Sequence, residues 1–263
     1  MTQQPQRRGP RAVAVFIGVG LAAGLMSGLF GVGGGTVIVP LLVLLLGFDQ
    51  RLAAGTSLAA IVPTSAVGVV SYALHDSVAW IPALILAVGA VGGAQIGTWM
   101  LPRLSQTALR WGFVGFLAAV IVSLFVVIPS RDAGLELTWA TGAGLVALGV
   151  LTGVVAGLLG VGGGIVVVPV LMIVFGTSDL VAKGTSFLMM VPTAVSGTLG
   201  NLRRHNVDLF AAGTTGVAAC TTTALGAWIA TLVDPFVANV LFAAFLVFVS
   251  TQMALKAVRG RRR

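Results

Sequence analysis

Two glycine runs, Gly31-Val32-Gly33-Gly34-Gly35 and Gly160-Val161-Gly162-Gly163-Gly164, are the residues of this chain best suited to hold a charged ligand. Both lie inside apolar sequence. A glycine costs a helix about 1 kcal/mol relative to alanine, so four in five residues should end one helix and let another start, at Thr36 and at Ile165. The first amides of the new helix have no partner within it, and its dipole is positive at that end. With no β-carbons in the way, a ligand can approach the backbone closely. Such a terminus suits an anion, so Gly33, Gly34, Gly35, Gly162, Gly163 and Gly164 are expected substrate-binding residues. The plainer reading is that these glycines only let helices cross tightly. Neither run is a phosphate loop, because no Gly-Lys-Ser/Thr follows, and neither has the strand and acidic residue of a dinucleotide fingerprint.

Each run is followed by Gly-Thr-Ser, at Gly55-Thr56-Ser57 and Gly184-Thr185-Ser186. Hydroxyls at a helix start can cap it or donate to an oxyanion. Thr56, Ser57, Thr185 and Ser186 therefore join the expected site, with packing between helices as the alternative. Lys183 is the candidate counter-charge for an anion, since ionisable groups within a membrane are functional candidates by default. Asp179 lies four residues earlier, so a simple Asp–Lys pair is the competing account. Gln95 and Asn201 fit hydrogen bonds between helices. Pro63 and Pro192 should kink their helices, with Thr64 and Thr193 placed to re-satisfy the backbone. His75, His205 and the single Cys220 have no metal-ligand company, so no metal or cofactor is expected. No hydrolase or zinc-protease motif occurs, and an enzyme is not expected.

The elements that position these residues come in two sets. Gly28 to Gly68 repeats as Gly157 to Gly197 at an offset of 129 residues, with 20 of 41 positions identical. Lys183 breaks the repeat, standing opposite Ala54. Paired interruptions in corresponding halves of a membrane protein point to a binding site. Apolar segments are expected at 12–30, 36–46, 50–74, 78–101 and 107–128, and again at 138–159, 165–175, 180–199, 207–233 and 235–257. The second of each set spans only about 16 Å, half the hydrocarbon thickness, and reads as a broken or re-entrant helix.

The chain is 57% hydrophobic and only 8% charged, against about a quarter charged in soluble domains. It cannot cover a water-facing surface, which excludes soluble classes. Its net charge of +8 does not indicate nucleic acid, because eight of the 15 basic residues lie at the two ends. They read as cytoplasmic flanks. Alternating loop charge then puts His75-Asp76 outside and Arg203-Arg204 inside, although the two loops correspond in the repeat. The halves are therefore expected to be inverted about an axis in the membrane plane. The organisation is a basic tail (1–11), one transmembrane repeat (12–128), a connecting loop (129–137), a second repeat (138–257) and a basic tail (258–263). The fold class is an all-α integral membrane protein of two inverted repeats, each of about five helical segments, with short helices after the glycine motifs.

The duplicated Gly-Val-Gly-Gly-Gly, the Gly-Thr-Ser and Pro-Thr after each, and the loops His75-Asp76-Ser77-Val78-Ala79-Trp80 and Arg204-His205-Asn206-Val207-Asp208-Leu209 together resemble the TauE/SafE sulfite exporter family. The resemblance implies a transporter of the prokaryotic plasma membrane, and the basic flanks put both termini on its cytoplasmic side. Its implied substrates are small sulfur-containing anions, such as sulfite or an organosulfonate. The expected partners are that anion and the lipid bilayer, with a proton or sodium as coupling ion and the oligomeric state left open. The substrate is expected between the halves, with one half rocking against the other. A passive anion channel and a non-transporting membrane scaffold are the alternatives.

Overall fold

The glycine runs do end helices. The computed structural model describes residues 9–126 and 138–259, so the expected connecting loop and the outermost parts of both basic tails lie outside the described residues. Among those residues are ten α-helices and no strand: α1 (Pro10–Phe30), α2 (Gly35–Leu46), α3 (Gln50–Ala73), α4 (Trp80–Met100), α5 (Gln106–Val126), α6 (Trp139–Leu159), α7 (Gly164–Phe175), α8 (Asp179–Leu202), α9 (Leu209–Leu232) and α10 (Pro235–Arg259). A single 3₁₀ turn, Leu101–Arg103, follows α4. The starts of α1, α2, α3 and α4 recur 129 residues later as the starts of α6, α7, α8 and α9.

Local chemistry sets these bounds. α1 begins at Pro10, two residues before its expected start, because proline's fixed φ and missing N–H suit a first helical position. It ends at Gly31, whose φ of 71° is left-handed and whose N–H donates to Ser27 O at 2.8 Å. α6 ends the same way at Gly160, with φ 75°. The Asp49 and Ser178 side chains cap α3 and α8. Neither Pro63 nor Pro192 interrupts its helix. The hydroxyl after each bonds back one turn, Thr64 to Ile61 O at 2.9 Å and Thr193 to Met189 O at 2.7 Å.

α1, α3, α4 with its 3₁₀ turn, α6 and α9 are long and apolar enough to cross a membrane. α2 and α7, of 12 residues each, are not. α8 matches α3 in length but carries Asp179 and Lys183. Small residues let backbones approach. Gly20, Gly24 and Gly28 of α1 lie on the Thr215, Ala219 and Thr223 carbonyls of α9, so the two helices run parallel. Gly89, Gly93 and Gly97 of α4 lie on α6 in the same manner. Between these pairs α3 and α8 run antiparallel, with Gly68 against the Phe187 ring and Gly197 against Leu58.

Candidate functional site

The two glycine runs lie side by side in opposite directions. A methyl on Gly35 would stand 2.4 Å from Gly160 O, and one on Gly164 would stand 2.4 Å from Gly31 O. Besides Gly31 and Gly160, four residues in the crossing are left-handed: Gly33 and Gly34 (φ 74° and 75°) and Gly162 and Gly163 (φ 79° and 90°). A side chain there would be strained. Gly34 and Gly163 are the N-caps of α2 and α7, so all six glycines expected at the site flank the helix openings.

The four Gly-Thr-Ser hydroxyls act across the halves. Ser57 Oγ donates to Gly160 O at 2.7 Å and Ser186 Oγ donates to Gly31 O at 2.6 Å. Thr56 Oγ1 accepts from the Asp208 amide at 3.0 Å, and Thr185 Oγ1 accepts from the Ala79 amide at 3.1 Å. All four residues are at most 1% exposed. Each motif therefore holds the end of a glycine-bounded helix and the start of a long helix, both from the opposite half. The serine protons are already given to carbonyls, which leaves the backbone amides of the glycine runs as the stronger donors to an oxyanion.

Two apolar residues that the sequence does not mark fill the crossing. A methyl on Gly33 would stand 2.6 Å from Met190 Sδ, and one on Gly162 would stand 3.1 Å from Met190 Sδ and 3.2 Å from Ile61 Cδ1. Ile61 and Met190 are fully buried, and they correspond in the repeat. The crossing is thus closed by hydrocarbon and a thioether. Neither residue type signals chemistry, so only the geometry reveals them.

Lys183 is buried, and its Nζ lies 3.3 Å from Asp179 Oδ2 on the same helix. Its stem packs on Gly31, where a methyl would stand 2.7 Å from Lys183 Cβ. The equivalents of Asp179 and Lys183 are Gln50 and Ala54, so only one end of the crossing carries a buried ion pair. Tyr72, the only tyrosine, donates from its hydroxyl to Gly28 O at 2.8 Å in the buried interior.

The remaining polar candidates are structural. Gln95 Nε2 donates to Ser196 O at 2.7 Å and ties α4 to α8, while Asn201 Nδ2 donates to Gly197 O within α8. His75 and His205 sit in exposed turns. Among the described residues no group of His, Cys, Asp or Glu is spaced to hold a metal ion.

Long apolar helices, paired short helices opening on glycine runs and an almost uncharged interior define a multi-pass helical membrane protein. The family model described as "Sulfite exporter TauE/SafE" matches residues 1–124 and 145–263, and the chain belongs to this family of membrane transporters, not enzymes. It is 31% identical over 190 residues to YdhB of Bacillus subtilis, covering 70% of this chain and 77% of that protein. It is 27% identical over 217 residues to YunE of the same organism, covering 74% and 80%. A Methanocaldococcus jannaschii protein is 26% identical over 164 residues, covering 58% and 59%. All three are described as a "Probable membrane transporter protein". No solved structure matches the chain significantly.

Proposed function

We propose that this transporter exports a small sulfur-containing anion, such as sulfite or an organosulfonate, by alternating access around the glycine crossing. The observation that carries this reading is the pair of helix N-termini, α2 and α7, brought together by antiparallel glycine runs. Their open amides and dipoles attract negative charge. The amides of Gly33–Gly35 and Gly162–Gly164 face the passage of the anion, and Lys183 raises the positive potential at its edge. Ser57 and Ser186 hold the two runs in place, and Thr56 and Thr185 tie the starts of α9 and α4 beside them. Ile61 and Met190 seal the crossing and must separate for an anion to pass. A proton or sodium ion drives the cycle.

The test is sulfite flux in proteoliposomes. Flux that saturates with concentration and shows counterflow supports a carrier. Flux that rises linearly without counterflow supports a passive channel instead, and absence of any sulfite flux rejects the substrate assignment.

We also read the two repeats as inverted in a prokaryotic plasma membrane, with both termini cytoplasmic. The antiparallel course of the equivalent helices α3 and α8 supports this. The reciprocal bonds Ser57 to Gly160 and Ser186 to Gly31 exchange under the 129-residue offset, as a two-fold relation between the halves requires. Asp76 and His205 are exposed, equivalent turn residues with φ of 51° and 57°. In a Cys220→Ala background, cysteines at these positions are expected to react with an impermeant maleimide from opposite faces. Reaction of both from one face would make the repeats parallel.

A further inference from the structure

The two helix tips are alike in backbone but not in side chains. Ser27 and Thr36 are both fully buried, and neither hydroxyl oxygen has a hydrogen-bond partner among the described residues. A buried hydroxyl without a partner costs free energy, so it calls for an explanation. Thr36 is in the first turn of α2, where Cα–Cβ bonds tilt toward the helix N-terminus, the end that carries the open amides. Ser27 is one turn beyond Ala23 on the same face of α1. That face meets the tip, because a methyl on Gly34 would stand 3.0 Å from Ala23 O. Ser27 O also accepts the Gly31 amide at 2.8 Å, which fixes the residue at the base of the glycine run. In the other half the equivalents are Ala156 and Ile165, both buried and neither able to donate.

We infer that the transported oxyanion is held at one tip, that of α2, by the Ser27 and Thr36 hydroxyls together with the first amides of the helix. The ligand class is a small anion bearing several acceptor oxygens, such as sulfite or a sulfonate. Two neutral donors and an open helix terminus satisfy those oxygens without a full positive charge, which keeps binding reversible. The α7 tip, lined by Ile165, Ala156 and Thr152, offers the anion no side-chain donor to spare, because the Thr152 hydroxyl already donates to Leu148 O at 2.8 Å, and it acts as the less polar side of the passage. This assignment rests on the anion-carrier reading above.

The experiment measures sulfite saturation in proteoliposomes and sulfite protection against thermal unfolding in detergent. Thr36→Val and Ser27→Ala are each expected to raise the half-saturating concentration about tenfold, as loss of one hydrogen bond to a charged ligand does. Thr36→Ser, which keeps the hydroxyl, is expected to saturate as the native chain does. Ile17→Val, on the exposed face of α1, is expected to leave saturation unchanged. Native-like saturation in both Thr36→Val and Ser27→Ala overturns the one-tip site while leaving the transporter reading intact. Equal weakening by Ile17→Val, which touches neither tip, overturns it as well. No sulfite flux and no sulfite protection in the native chain would overturn both readings together.

Discussion

Lys183→Ala is expected to destabilise the protein by about 3–5 kcal/mol, because it leaves the Asp179 carboxylate buried with its nearby cation gone. Asp179 and Lys183 are 2% and 7% exposed. Removing one partner of a buried pair costs far more than replacing both, since the remaining charge keeps its desolvation penalty. The other half already holds the neutral alternative in Gln50 and Ala54. The double variant Asp179→Gln with Lys183→Ala copies that arrangement and is expected to recover most of the loss. Thermal or denaturant unfolding in detergent, arranged as a double-mutant cycle, measures the coupling. A single variant as stable as the native protein would show that water reaches the pair and that its burial is not maintained. Sulfite flux by the stable double variant then separates the stability role from the proposed electrostatic role. Retained stability with raised half-saturation marks Lys183 as part of the anion's surroundings.

Gly35→Ala and Gly164→Ala form the second large-effect pair. Each new methyl would meet a backbone carbonyl of the opposite run at 2.4 Å. A carbonyl held by a serine hydroxyl cannot rotate aside as a flexible side chain would, so the two runs must separate. Forced overpacking of this kind costs about 1–3 kcal/mol per site. Separation also misplaces the amides that would face the anion, and a shift of about 1 Å near a site can cost about a hundredfold in rate. The expected result is a lowered unfolding midpoint and near-complete loss of sulfite flux. Gly47→Ala and Gly176→Ala are the controls. Their φ values are 69° and 65°, yet nothing lies within 4 Å of the added methyl. They carry only the left-handed penalty of about 1–2 kcal/mol, and flux should persist. Native-like flux in both Gly35→Ala and Gly164→Ala would remove the crossing from the transport path.

Much of this architecture could be read from the sequence because membrane chains obey few rules. Glycine runs inside apolar sequence had to break helices, and the offset of 129 residues carried from letters to helix starts and to left-handed φ angles. The start of α3 fell at the expected Gln50, whereas α1 began two residues early at Pro10, because ring geometry rather than apolar content set that boundary. Gln95 bonds from one helix to another, as a half-buried amide in a membrane protein does. The candidate site was less legible. Gly-Thr-Ser suggests ligand hydroxyls, but a hydroxyl serves a carbonyl as readily as an anion, and the carbonyls concerned lie more than 100 residues away. Met190 and Ile61 fill the crossing for reasons of shape alone, which no motif encodes. Ser27 and Thr36 carry no motif either; they stand out only once burial and the absence of partners are known.

The glycine stripes described above join α1 to α9 and α4 to α6, across the line that divides the two copies in sequence. Each fourth helix thus belongs mechanically to the opposite copy. A motion that slid one copy past the other would tear these close backbone seams. Under the proposed alternating access, the pieces that would swing are hybrids: α1–α3 carrying α9, and α6–α8 carrying α4. Gene duplication drew one boundary, and the machinery of transport would turn on another.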